Sequence, residues 1–179
     1  MDVFSCDVMV DIECLGVAPD ALILTIAAVA FDPISGNIHS DRSLYFRIDP
    51  ESQPNRGIDQ STLEWWSTQP KIARDEAFDE KDRVPLRHAL EKLSNLIWSS
   101  KRLWANGITY DITILEHAFK QESLNLPWQY YKVMDARTVY KLAPEVGKLS
   151  NNHHALYDTI AQVKLLHDAL SYLKVKTLG

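Results

Sequence analysis

The chain has 179 residues, 46% of them hydrophobic and 24% charged, which fits one soluble globular domain and excludes disordered and fibrous classes. A formal net charge of −5 lacks the positive bulk charge of a typical phosphate-binding protein, although cations bound to acidic ligands would reverse the field locally. The longest apolar run, Ala21 to Phe31, is interrupted by Thr25 and too short to cross a bilayer, and the amino terminus lacks a leader pattern, so a cytoplasmic protein without a membrane partner is expected.

The first predicted strand is Val8-Met9-Val10-Asp11-Ile12-Glu13-Cys14. Its alternation puts Val8, Val10 and Ile12 on one face and Asp11 with Glu13 on the other, the two acids about 7 Å apart along the strand. A solvated edge strand could carry such a pair. An early strand followed by an almost wholly apolar second one is better read as central and covered, and buried carboxylates then need a partner, for which a divalent cation serves. Cys6 and Cys14 would lie about 26 Å apart on one extended segment, beyond disulfide reach, and are expected as reduced thiols.

After a turn at Gly16 to Asp20 comes the strand Ala21 to Phe31, then a turn at Asp32 to Asn37 and a third strand, Ser43 to Ile48. From Asp49 to Pro85 the chain is polar and proline-rich, and reads as an insertion over one face of the sheet. It holds a short helix around Ser61 to Trp66, capped by Ser61 or Asp59, and a charge-rich stretch at Lys71 to Lys81, a surface helix or a mobile loop. Leu86, Leu90, Leu93 and Ile97 recur at helical spacing and predict an amphipathic helix over 86 to 99. A short strand at Arg102 to Ala105, a helix from near Thr109, a strand at Tyr131 to Met134, a helix with Asp135 as N-cap, and a closing helix from about His154 to Leu173 complete the chain. This order predicts an α/β fold: an antiparallel meander, then parallel strands, in one mixed sheet flanked by helices.

Asp111 and Asp158 each fall near a helix start, where an acid also simply favours the positive end of the macrodipole. Together with Asp11-Ile12-Glu13 on the first strand, however, Asn106-Gly107-Ile108-Thr109-Tyr110-Asp111 and His153-His154-Ala155-Leu156-Tyr157-Asp158 resemble the three motifs of the DEDDh family, the ribonuclease H-like 3′→5′ exonucleases that include ribonuclease T, oligoribonuclease and proofreading subunits. The segment Ile58 to Trp66 makes the chain most similar to the phage- and prophage-type members. The resemblance runs from Val8 to about Leu173 and implies one exonuclease domain over 1–179, with the insertion at about 49–85.

Carried over, the resemblance makes Asp11, Glu13, Asp111 and Asp158 the ligands of two divalent ions, Mg²⁺ or Mn²⁺, and His153 the general base that takes a proton from the attacking water. His154 has a rival claim, because helical spacing would place it on the face of Asp158. The substrate would be a DNA or RNA 3′ end, shortened by release of nucleoside 5′-monophosphates. Cys14 and Leu15 would meet the terminal nucleotide, Asn106 would lie beside the metals, and Trp65 or Trp66 would stack on a base, at least one of them belonging to the core. Two departures from the family pattern stand out: Cys14 replaces a threonine or serine, and Asn106-Gly107 replaces His-Asn.

Many members are dimers, which leaves a homodimer open. A non-catalytic nucleic-acid-binding module and an endonuclease on the same fold are the alternative functions. Tyr157 is read as a packing residue, Asp168 and His167 as surface or packing residues, and His39, His88 and His117 have no companions that would indicate zinc.

Overall fold

In the computed structural model, which describes residues 6–149 and 153–179, strand β1 (Asp7–Cys14) lies in the middle of a five-stranded sheet ordered β3-β2-β1-β4-β5. Strands β2 (Ile23–Phe31) and β3 (Ile38–Arg47) form the antiparallel half, whereas β4 (Leu103–Ala105) and β5 (Val133–Asp135) run parallel to β1. Six helices follow or separate these strands: α1 (Gln60–Thr68), α2 (Lys71–Ala77), α3 (Leu86–Ile97), α4 (Asp111–Gln121), α5 (Ala136–Leu142) and α6 (Ala155–Tyr172). None of the described helices is long and apolar enough to cross a membrane.

The pleat of β1 sorts its residues between two layers. Val8, Val10 and Ile12 pack with Ile26, Ala28 and Ala30 of β2 against Leu86, Leu90 and Leu93 of α3 and Ile112, Leu115 and Phe119 of α4. Met9 faces the other way, with Phe31 and Trp104, against Val163, Leu166 and Leu170 of α6. Asp7, Asp11 and Glu13 share the parity of Met9, so the polar side of the strand lies beneath a helix.

Asp7 answers that burial by ion pairing. Its carboxylate, wholly buried, accepts from Arg102 Nε at 2.9 Å and from Trp104 Nε1 at 2.7 Å, which ties the beginning of β1 to that of β4.

Several boundaries differ from the sequence expectation for identifiable reasons. β3 begins at Ile38 rather than Ser43, because an edge strand tolerates the polar stretch Ser40-Asp41-Arg42 that hides its periodicity. β2 begins at Ile23 because Leu22 leaves the ladder to receive a hydrogen bond from Leu15 and donate one to Gly57, while the Gln53 amide pairs with both backbone groups of Ile23. β5 starts late, since Tyr130–Lys132 form a 3₁₀ turn with both tyrosines exposed. The turn before β3 uses Asp32 Oδ1 to accept from Ile34 and Ser35, and Gly36 sits at φ 72° beneath the His167 ring.

The segment 49–85 is stitched to the sheet at both ends, by Ala21 bridging Gly57 and Ile48 bridging Val84. Asp59, not Ser61, caps α1, accepting from the Ser61 N–H at 3.0 Å. Trp66, Ala73 and Ala77 of α1 and α2 form a small cluster with Leu15, Leu22 and Leu24. Both cysteines are free and buried in the core.

Removing one partner of a buried ion pair leaves the other charge uncompensated. Asp7→Ala should therefore lower unfolding free energy by ~3–5 kcal/mol in urea denaturation; a loss below about 1 kcal/mol would mean that the pair contributes no more than a surface contact.

Candidate active site

At the carboxyl end of β1 the acids are close to one another and to few donors. Asp11 Oδ1 accepts from Gln162 Nε2 of α6 at 2.8 Å. Asp111, buried at the start of α4, accepts through Oδ1 from the Ile12 N–H at 3.3 Å, which places it against the backbone between Asp11 and Glu13. Glu13, His153 and Asp158 each present a ligand atom within 4.8 Å of the others. Thus β1, the start of α4, the first turn of α6 and the residue before His154 bring all five expected residues to one sheet edge.

Burial and repulsion raise Asp11, Glu13 and Asp111. Asp11 is pushed up to about 7, chiefly by burial and further by the charge of Asp158, against the lowering hydrogen bond from Gln162. Glu13 is raised by burial and then by Asp11, Asp158 and Asp111. Asp111 is raised by burial and by Asp11, while the Ile12 N–H and Arg137 pull in the opposite direction.

Two neighbouring polar atoms are buried without a partner: Gln162 Oε1 and the hydroxyl of Thr25, the residue directly opposite Glu13 in the ladder. Oxygen-rich, net negative and short of donors, the set fits a hard divalent cation better than it fits a salt-bridge core.

The two histidines diverge. His153 adopts a left-handed backbone conformation, φ 52°, and its ring meets Trp65 and Trp66 edge-on, with centroids at 4.9 and 6.2 Å. His154 turns away at the N-cap position of α6. Its ring lies 4.2 Å from that of Tyr157 and 5.0 Å from that of Tyr45, and its Nε2 is 3.9 Å from Glu76. Glu76 is itself held by Tyr45 and Arg47, each at 2.6 Å. Tyr157, expected to pack, is instead 59% exposed and covers the His154 ring.

The expected substrate residues separate. Trp65 is exposed and, with Glu13, Cys14, Val17, Ser61, Thr62 and Tyr110, lines a pocket of about 400 Å³ next to the acids. Trp66 is not a stacking platform: it is buried, and its Nε1 donates to the Cys14 carbonyl at 3.0 Å. Leu15 also turns away, into the cluster with Leu22 and Trp66. The Cys14 thiol is in the core, where burial pushes its pKa upward, and not on a surface open to a ligand. Asn106 follows Ala105, the partner of Val10 in the parallel ladder, and its carbonyl accepts from Arg137 Nη2 at 2.8 Å.

Gln162 and Tyr110 escaped the sequence reading. A signal existed for Gln162, which lies one helical turn after Asp158 on the buried face of a largely apolar helix.

A mixed five-stranded sheet in this order, flanked by helices, is the α/β fold that solved exonucleases share. Escherichia coli exonuclease I in complex with a dA16 oligonucleotide matches with a TM-score of 0.70 at 15% identity, over 95% of this chain and 42% of that one. The zinc-bound form of the E. coli ExoI–ssDNA complex matches with 0.68 at 14% identity, over 93% and 41%. Cell-death related nuclease 4 gives 0.60 at 12% identity, over 94% and 64%. In sequence, the exodeoxyribonuclease of enterobacteria phage T4 is 27% identical over 122 residues, 61% of this chain. The chain spans about half the length of that curated relative, 53%. It belongs to the family of the Rv2179c-like 3′-5′ exoribonuclease domain, whose model matches residues 6–170.

The raised acids set a stability profile. A carboxyl whose folded pKa lies above its unfolded value disfavours folding once ionised, so its contribution is fully present below the ordinary 3.8 of an aspartate and is lost as pH rises through about 7 for Asp11. The melting temperature of metal-free protein should fall between about pH 4 and pH 7, and Asp11→Asn should flatten the fall. Mn²⁺ should restore stability most at the alkaline end. A profile that Asp11→Asn leaves unchanged contradicts this electrostatic account.

Proposed function

We propose that this chain is a 3′→5′ exonuclease that removes nucleoside 5′-monophosphates from single-stranded nucleic acid. The observation that carries the reading is the meeting of Glu13, His153 and Asp158 within 4.8 Å, beside Asp11 and Asp111, at one edge of the sheet. The family's 3′-5′ exoribonuclease description supports a 3′ end as substrate, and the phage exodeoxyribonuclease and the solved neighbours' complexes with ssDNA and with a dA16 oligonucleotide support a nucleic-acid strand.

Asp11, Glu13, Asp111 and Asp158 would hold two divalent ions, Mg²⁺ or Mn²⁺. Such ions, when bound, make water acidic enough to attack at neutral pH and offset charge that develops on the attacking and leaving oxygens. Gln162 fixes the Asp11 carboxylate, and the Ile12 N–H fixes that of Asp111. His153, its ring braced by Trp65 and Trp66, takes the proton of the attacking water; an imidazole can accept that proton at physiological pH and release it again. The water oxygen bonds to phosphorus, the P–O3′ bond breaks, and the 3′ oxygen remains with the shortened strand. The pocket formed by Trp65, Tyr110, Ser61 and Thr62 receives the terminal nucleoside, with the exposed Trp65 ring as a surface for its base.

The test uses 5′-labelled DNA and RNA oligonucleotides, single-stranded and duplex, with Mg²⁺, Mn²⁺ or EDTA. A metal-dependent ladder shortening from the 3′ end is expected, and cleavage of a circular single strand would instead identify an endonuclease. Binding without release of mononucleotides would identify a non-catalytic module.

In the same assay Asp11→Asn should lose at least ~10³-fold in kcat/KM while remaining folded. His153→Ala should lose ~10²–10⁴-fold. A larger loss in His154→Ala than in His153→Ala would transfer the base to His154.

A further inference from the structure

The proposed chemistry consumes a polyanion, yet the chain is net negative and its site is built of acids. Something must hold the strand that continues on the 5′ side of the scissile bond. The strand in question exists only if the exonuclease reading holds, and the inference rests on that reading.

On the side of the acids away from the nucleoside pocket, toward β4 and β5, lies a groove of about 390 Å³ lined by Asn106, Arg137, Tyr140, Lys141, Lys148 and Leu165 among others. The parallel pairing of Ala105 with Asp135 sets Asn106 beside the start of α5, at the same carboxyl-terminal edge as Glu13. Arg137 is held there: its Nη2 donates to the Asn106 carbonyl at 2.8 Å, and the guanidinium lies over Gly107, where an added Cβ would come within 3.1 Å of it. Gly107 also needs its φ of 115°, which favours glycine in its own right. The Arg137 side chain is near enough to lower the Asp111 carboxyl, while the residue is exposed.

The groove is linked to the acids through its wall. Tyr140 Oη donates to the Gln162 carbonyl at 2.9 Å, and the side chain of the same glutamine donates to Asp11. Lys141 and Lys148 are exposed on the rim. Among the described residues, no carboxylate forms an ion pair with Arg137, Lys141 or Lys148, in contrast to Lys71, Arg87 and Arg102, which have acidic partners. Three cations around one groove, none in an ion pair among the described residues, match in an acidic protein the spaced negative charges of a sugar–phosphate backbone.

We propose that this groove holds the backbone of the substrate strand 5′ to the scissile phosphate, with Arg137, Lys141 and Lys148 contacting phosphates. Contacts of this kind position a strand without reading its sequence. The nucleoside pocket and the groove share no lining residue, and in this proposal the strand runs from one to the other past the acids.

The experiment compares wild type with Lys141→Gln/Lys148→Gln on two probes. The first is a labelled single-stranded oligonucleotide with phosphorothioate 3′ linkages, its affinity measured in Mg²⁺ over a range of salt concentrations. The second is thymidine 5′-monophosphate p-nitrophenyl ester, which has a terminal nucleoside and no 5′ strand. The double variant should bind the oligonucleotide ~10-fold more weakly and flatten the plot of log K against log salt by about 0.7 per lost contact, with ester hydrolysis unchanged. Arg137→Gln should weaken oligonucleotide binding further, and Arg137→Lys should recover part of it.

Wild-type affinity and salt slope in the double variant overturn the groove assignment. So does an equal loss on ester and oligonucleotide, which would place the lysines' effect at the acids. Failure of the exonuclease reading is separately visible, as wild-type protein that hydrolyses neither probe's unmodified form.

Discussion

Four carboxylates brought together under a helix, two of which lean on an amide and a backbone N–H rather than on an ion pair, are the constraint on which the rest of the structure depends. The pleat of β1 creates the problem by giving Asp11 and Glu13 the same covered face as Met9. Asp7, on that face at the other end, is neutralised internally by Arg102 and Trp104. The contrast between the two ends of one strand is informative. Asp7 at one end has a guanidinium; at the other, Asp11 has a glutamine amide and Asp111 a backbone N–H. Like charges held this close raise one another's pKa, and a divalent ligand relieves the repulsion.

The segment between β3 and α3 gains a purpose from the same geometry. Its first helix supplies Trp65 and Trp66, whose rings confine His153, and its second supplies Glu76, which with Tyr45 and Tyr157 surrounds His154. Neighbouring histidines are thereby assigned different surroundings, one between Glu13, Asp158 and two tryptophans, the other between Glu76 and two tyrosines. The left-handed backbone at His153 makes that divergence feasible.

Much of the site was legible in the sequence because its chemistry demands particular atoms at particular places on regular elements. Alternation placed Asp11 with Glu13, and the helix starts placed Asp111 and Asp158; the resemblance then named all five residues. Which of two neighbouring side chains is buried by tertiary packing was not legible. Adjacent Trp65 and Trp66 differ completely in exposure, and only tertiary packing against the Cys14 carbonyl decides which is core. Leu15 follows the acids in sequence but lies past a register shift at Glu13 and Cys14, which turns it away from them. Edge-strand polarity likewise hid the first half of β3, and exposed tyrosines imitated a strand before β5.

Metal binding itself tests the account most directly, because everything else about the site follows from unneutralised charge. Titration of Mn²⁺ into the metal-free protein, followed by calorimetry near neutral pH, should show two ions bound per chain, with binding weakened or reduced to one ion in Asp11→Asn. Absence of Mn²⁺ and Mg²⁺ binding to folded wild-type protein, or undiminished binding to Asp11→Asn, would contradict it.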